Sequence, residues 1–178
     1  MTQNAGSDKK DPSSSSWDYV DVMRELDKQS NKKIITIQVA DQIYTIKTPY
    51  REDAYELADQ IYDSIREFDT DICDIAENLS FKADNIKNVK DHVFYQKHEL
   101  NKYVSLGEAW KYKRFDPYIQ QALAWKRIET GTHTQDDITW IKHECAEWHH
   151  ELKYGSGYSE AHNRAQTRFD GAPWENNF

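Results

Sequence analysis

The chain of 178 residues contains no long apolar run, only two cysteines and no histidine before position 92. No stretch approaches the roughly 18 consecutive apolar residues of a membrane span, and no apolar leader core follows the N-terminus. Sec export and membrane integration are therefore not expected, and the cytoplasm is the expected compartment. Cys73 and Cys145 fall in predicted helices without C-x-x-C spacing, so buried free thiols in a reducing compartment are expected. Apolar residues make up only 38 % of the chain, and mean hydropathy is −0.97. Such polarity borders on the composition of disordered chains, but six Trp, eleven Tyr and six Phe supply large side chains for a core. The length suits one buried core with a small appendage. No internal repeat is visible.

Charge is unevenly spread within the net −8. Residues 1–81 hold 9 Lys or Arg against 17 Asp or Glu, residues 82–127 hold 10 against 5, and residues 128–178 hold 4 against 9. The basic middle segment either faces phosphates or pairs with the acidic flanks. Lys90, Lys97, Lys113 and Arg114, with Trp125, are the candidates for holding a nucleic-acid substrate.

Hydrophobic periodicity divides the chain. Residues 1–16 are a polar, Ser-rich tail that buries nothing and is expected to be disordered. Trp17, Val20, Met23 and Leu26 sit at helical spacing. Ile35, Ile37 and Val39, then Tyr44 and Ile46, alternate as a β-hairpin turning near Ala40-Asp41. Thr48-Pro49 reads as the start of a helix carrying Leu57, Ala58, Ile61, Tyr62, Ile65 and Phe68. Residues 17–69 are thus expected to form a small α-β-β-α unit with its own core. Residues 70–170 read as a helical domain, and 171–178 as a tail. The fold class is mainly α (α+β). Within the helical part, Thr70 opens a helix that breaks at Asn78-Leu79-Ser80, and a second runs over 81–96. Asp116-Pro117 reads as the N-terminus of a third, which ends at Gly131. Thr134 and Asp137 have capping-box spacing ahead of Ile138, Ile141, Cys145, Trp148 and Leu152, a stripe expected to face the core. Gly155 ends this helix, and Ser159 caps one more. Residues 74–94 also have the outline of a helix-turn-helix, though the second helix carries no arginine.

All chemistry-bearing imidazoles lie in residues 92–162. On the helix near 135–153, Trp140, His143, Glu144, Glu147 and His150 share the face opposite the apolar stripe. His143 and Glu147 are four residues apart, so their side chains meet; a carboxylate beside an imidazole suits a general acid or base. The run His143-Glu144-Cys145-Ala146-Glu147 departs from the His-Glu-x-x-His zinc signature in its last residue. His143, Glu147 and His162 nevertheless amount to a His₂Glu ligand set. His92 and His98, six residues apart, both point inward only if the helix breaks near Tyr95-Gln96. Arg127 is the arginine candidate for phosphate charge.

Several boxes together resemble a known module. Ile75-Ala76 with Asn78, then His92 and His98, Arg114-Phe115-Asp116-Pro117, Trp125 with Arg127, Lys142-His143-Glu144 with Glu147, and Ala161-His162 are similar to the C-terminal cargo modules of bacterial LXG-type and contact-dependent polymorphic toxins. Related modules occur beside phage head-morphogenesis proteins. The resemblance covers about residues 70–170; residues 17–68 are too short for an LXG-type delivery domain. It implies a nuclease acting chiefly on RNA in a bacterial cytoplasm, and a cognate immunity protein as partner.

The leading expectation is an RNase using His/Glu acid–base catalysis with no cofactor. His143 would be the base oriented by Glu147, with His92 or His162 as acid and His98, Glu144 and Arg127 beside them. The alternatives are a zinc hydrolase built on His143, Glu147 and His162, and a non-catalytic protein-interaction module whose His/Glu face is an ordinary polar surface.

Overall fold

A computed structural model describes residues 17–30, 32, 34–47, 53–100 and 111–169. These form seven α-helices and two small antiparallel hairpins, a mainly α arrangement with minor β. The terminal tails and the Thr48-Pro49 helix start lie outside the described residues.

Helix α1 (Tyr19–Gln29) begins where the Asp18 side chain accepts from Asp21 N at 2.9 Å, satisfying an otherwise orphaned amide. It buries Val22 and Leu26, with Trp17 just ahead, while Val20 stays exposed. Strands β1 (Ile35–Val39) and β2 (Gln42–Ile46) pair with Ile37 opposite Tyr44. The alternation places Ile35, Ile37, Val39, Tyr44 and Ile46 inside, and Ala40 turns the chain at φ 52°. Helix α2 (Asp53–Glu67) lays Leu57, Ala58, Ile61, Tyr62 and Ile65 on the core, but Phe68, just past its end, is exposed.

The next elements surround helix α5 (Ile119–Glu129), which is buried over most of its circumference. Helix α3 (Asp71–Leu79) sends Asn78 Nδ2 to the carbonyls of Ile128 and Glu129, at 2.8 and 2.9 Å. That side chain satisfies the last carbonyls of α5, and Gly131 takes the left-handed conformation beside it (φ 72°). The expected N-terminus of α5 shifts: its N-cap is Tyr118, and both Asp116 carboxylate oxygens accept from Lys113 Nζ, at 2.8 and 2.9 Å. The segment expected as one helix over 81–96 is divided. Helix α4 (Ala83–Lys90) passes into a π-helical turn, Asp91–Tyr95, in which Gln96 N donates to Asp91 O at 2.7 Å. The chain then enters β3 (His98–Leu100), paired with β4 (Lys111–Lys113), a hairpin that the periodicity did not announce.

Helix α6 (Gln135–Tyr154) carries the capping box between Thr134 and Asp137 and ends at Gly155 in the left-handed conformation. Its orientation reverses the expectation. Asp137, Trp140, Ile141, His143, Glu144 and Glu147 are buried, whereas Ile138, Cys145 and Trp148 are half-buried and Leu152 is exposed. Helix α7 (Tyr158–Gln166) has Gly157 rather than Ser159 at its cap and packs Ala161 and Ala165 inward. Cys73 is exposed and Cys145 half-buried, both as free thiols, so the expectation of two buried thiols fails at Cys73. One continuous apolar cluster runs from Trp17 to Ile141 and includes the hairpin unit.

Inside that cluster lies a charged pair. Lys90, 1 % exposed, donates to Asp71 Oδ1 at 2.8 Å and to the Phe68 carbonyl, while Asp71 Oδ2 accepts from Trp125 Nε1 at 2.8 Å. Lys90 also reaches the exposed Asp69 at 3.2 Å, so removing Asp71 would leave the buried ammonium with one solvent-exposed carboxylate and would strand the Trp125 N–H. Asp71→Ala is expected to cost about 2 kcal/mol or more, measured as a lowered urea midpoint; a loss under about 1 kcal/mol would contradict the role given to this pair.

Candidate functional site

Helix α6 supplies one edge of a buried polar cluster. His143, Glu147 and Glu151 recur every four residues and so share a face, with Glu144 three residues before Glu147 at its edge. The π turn contributes His92, β3 contributes His98, and α7 contributes His162. Five of the sequence candidates therefore meet: His92, His98, His143, Glu147 and His162, with Glu144 at their margin.

Glu147 is at the centre. It is 1 % exposed, yet both carboxylate oxygens are engaged. Oε2 lies 3.0 Å from His162 Nδ1 and 3.4 Å from His143 Nε2, and Oε1 lies 3.3 Å from His92 Nε2. Burial pushes the Glu147 carboxyl up, but hydrogen bonding to the surrounding imidazoles outweighs it and holds the group well below the usual carboxylate range. Its neighbour Glu144 accepts from Trp140 Nε1 at 2.9 Å and sets its other oxygen 3.7 Å from His92 Nε2.

Tautomers follow from the acceptors. His143 Nδ1 faces the Phe169 carbonyl at 3.2 Å. A carbonyl oxygen only accepts, so this nitrogen carries the proton and a neutral His143 presents its Nε2 lone pair to His162 Nδ1, 3.2 Å away. An imidazole anchored through N–H to a backbone carbonyl, with its other nitrogen bare, is the usual arrangement of a metal-binding histidine. The three facing atoms, His143 Nε2, His162 Nδ1 and Glu147 Oε2, are separated by 3.2, 3.4 and 3.0 Å. Ligands of a tetrahedral site with bonds of about 2.0–2.1 Å lie about 3.3 Å apart. The triangle already has the dimensions of one face of such a site. His143 is fully buried, while the His162 side chain is 30 % exposed, so access to the cluster comes past His162.

No family model, curated protein or solved structure matches the chain. What the site can do therefore rests on its geometry.

The remaining candidates lie elsewhere. Arg127 grips Asp137 through Nε at 2.9 Å and Nη2 at 2.5 Å, joining α5 to the start of α6. Trp125 and Lys90 belong to the core pair around Asp71. Lys113 holds Asp116, and Arg114 Nε donates to the Tyr95 carbonyl at 3.1 Å. Lys97 is exposed and lines a pocket of about 390 Å³ beside His98 and Glu151. The basic segment is thus largely committed to internal pairing, with Lys87–Asp91 and Lys126–Glu129 as further cases.

Two contributors went unread in the sequence. Glu151, one turn beyond Glu147, faces His92 and His98; its spacing was the available signal. Phe115 stacks on the His98 ring at 4.2 Å and 12°, which gives the Arg-Phe-Asp-Pro box a positioning part in the cluster.

Because Glu147 is held below its unfolded value of 4.5, the stability it contributes is present above about pH 4.5 and is lost as pH falls toward its folded value. In metal-free protein, the fall of unfolding free energy between pH 5 and 3 is expected to be steeper for wild type than for Glu147→Gln, by up to about 1.4 kcal/mol per pH unit. Parallel slopes in denaturant titrations would refute the assignment.

Proposed function

We propose that this chain is a metal-dependent nuclease with a divalent first-row metal held by His143 Nε2, His162 Nδ1 and Glu147 Oε2. The observation that carries the reading is the convergence of these three atoms at 3.0–3.4 Å, with His143 oriented by a backbone carbonyl. Two imidazoles and one carboxylate make a donor set for zinc or for a non-haem transition ion with open positions. A metal bound there supplies a Lewis acid and lowers the pKa of a coordinated water.

The protein's own residues do the rest. Glu147 brings negative charge to the ion and, through Oε1, ties His92 to the same carboxylate. The His162 edge leaves one approach from solvent. The competing metal-free mechanism would need His143 to touch a ribose hydroxyl, and that ring is fully buried with its Nδ1 engaged.

A nucleic-acid substrate is favoured by the surface beside α6 and α7. A groove of about 780 Å³ is lined by Lys82, Lys142, Lys153, Arg164 and Arg168 with Trp148 and Phe169, and no carboxylate lines it among the described residues. On a chain of net charge −8, such a groove suits a phosphate backbone and stacked bases. Phe169 also anchors His143, so groove and site share a wall. The toxin-module resemblance adds RNA as the target, the bacterial cytoplasm as the place of action and a cognate immunity protein as partner.

Purified protein is expected to cleave RNA, to stop in chelator and to recover with added zinc or manganese. His162→Ala and Glu147→Gln should each lower the rate about 100-fold or more. Expression in bacteria should arrest growth, and His162→Ala should not. Cleavage that persists in chelator would return the reading to acid–base catalysis; intact RNA and harmless expression of wild type would leave an interaction module.

A further inference from the structure

The cluster contains a second group of donors on the far side of His92. His92 is fully buried, and its Nδ1 has no hydrogen-bond partner. Its Nε2 is turned toward Glu147 Oε1 at 3.3 Å, so Nε2 carries the proton and a neutral His92 leaves Nδ1 bare. That nitrogen faces Glu151 Oε2 at 3.5 Å. His98 repeats the logic. Its Nε2 donates to the His92 carbonyl at 2.9 Å, and its Nδ1 lone pair meets Glu151 Oε1 at 3.4 Å.

Three electron-pair donors, His92 Nδ1, His98 Nδ1 and the Glu151 carboxylate, therefore converge within 4.8 Å of one another. With both imidazoles neutral, no proton lies between them. At the first site the His162 Nδ1 proton can bridge its partners; here two Nδ1 atoms and a carboxylate face one another in a buried place and need a proton or a cation between them. A cation seated among them meets that need.

The geometry points to a second divalent metal site formed by His92, His98 and Glu151, joined to the first through Glu147. Both imidazoles are oriented from behind, one by a carboxylate and one by a backbone carbonyl, as bound histidines are. Phe115 stacked on His98 fixes the plane of that ring. Gln96 Nε2 donates to Glu151 Oε2 at 3.3 Å, steadying the carboxylate and leaving Oε1 toward His98. His98 and Glu151 also line the pocket of about 390 Å³ that opens beside Tyr158, which gives an ion a route in. The link between the sites is direct: Glu147 Oε2 faces the first, and Oε1 holds the nitrogen of His92 that does not face the second. The second site stands on its own donors and does not require the proposed activity.

Metal content after saturation with zinc and desalting tests this on the full chain, with circular dichroism confirming that each variant folds. Wild type is expected to retain two ions per chain, and Glu151→Gln and His98→Gln one each. His162→Ala should also retain one, because its loss empties only the first site. One ion in wild type that survives Glu151→Gln and His98→Gln but is lost in His162→Ala overturns the second site and leaves the proposed function standing. One ion that survives His162→Ala but is lost in Glu151→Gln supports the second site and removes the first. No ion in wild type overturns both.

Discussion

A carboxylate taken out of water must be matched by protons or positive charge, and the structure around α6 is organised by that demand. Glu147 is matched by N–H groups of imidazoles from the π turn and from α7, with the His143 ring of its own helix packed beside them. Each of these elements is also tied down by apolar burial: Val93 and Phe94 on the π turn and Ile141 on α6 belong to the continuous core, and Ala161 and Ala165 are buried on α7. The polar cluster is thus held by packing as well as by its own attraction. This is the condition for holding ligand atoms in place before a ligand arrives.

The same demand explains why α6 lies the other way round from its apolar stripe. Periodicity finds two faces of a helix, and hydrophobicity normally decides which goes inside. On α6 the polar face contains Trp140 as well as acids and imidazoles that satisfy one another, and Ile141 is the one member of the apolar stripe that stays buried beside it. The rest of that stripe is interrupted by charged residues and can sit half-buried or exposed. A buried His/Glu face holds its own partners, so it competes successfully for the interior. Residue spacing showed that His143 and Glu147 meet; only the tertiary arrangement shows that they meet inside.

Local rules served well where neighbours in sequence settle the matter. The hairpin over 35–46 is legible because β-branched residues alternate, and the start of α6 because Thr134 and Asp137 have the spacing of a capping box. His143, Glu147 and His162 could be named from the sequence as an alternative ligand set beside the metal-free reading, but their convergence is a matter of tertiary arrangement. Other features depend on distant partners. Arg127 and the lysines of the middle segment carry the charge expected of a phosphate-binding surface, but Asp137, Asp71, Asp116 and Glu129 engage several of them. Most groove cations come instead from Lys142, Lys153, Arg164 and Arg168, within a segment whose overall charge is acidic, with Lys82 alone from the basic segment among the described residues. Glu151 escaped notice because its partners, His92 and His98, are more than fifty residues away.

The π turn at Asp91–Tyr95 has a consequence for how the chain tolerates change in length. A π turn contains one more residue than an α turn, and such insertions recur at functional positions. Here the extra residue lets His92 face the acids while Val93 and Phe94, immediately after it, still enter the apolar core. Deleting one residue would restore ordinary helical phase and rotate everything downstream by about 100°. Either the ring or the hydrophobic anchors would then point the wrong way. Chains that share this architecture are thus constrained in residue count at this turn as tightly as in residue identity.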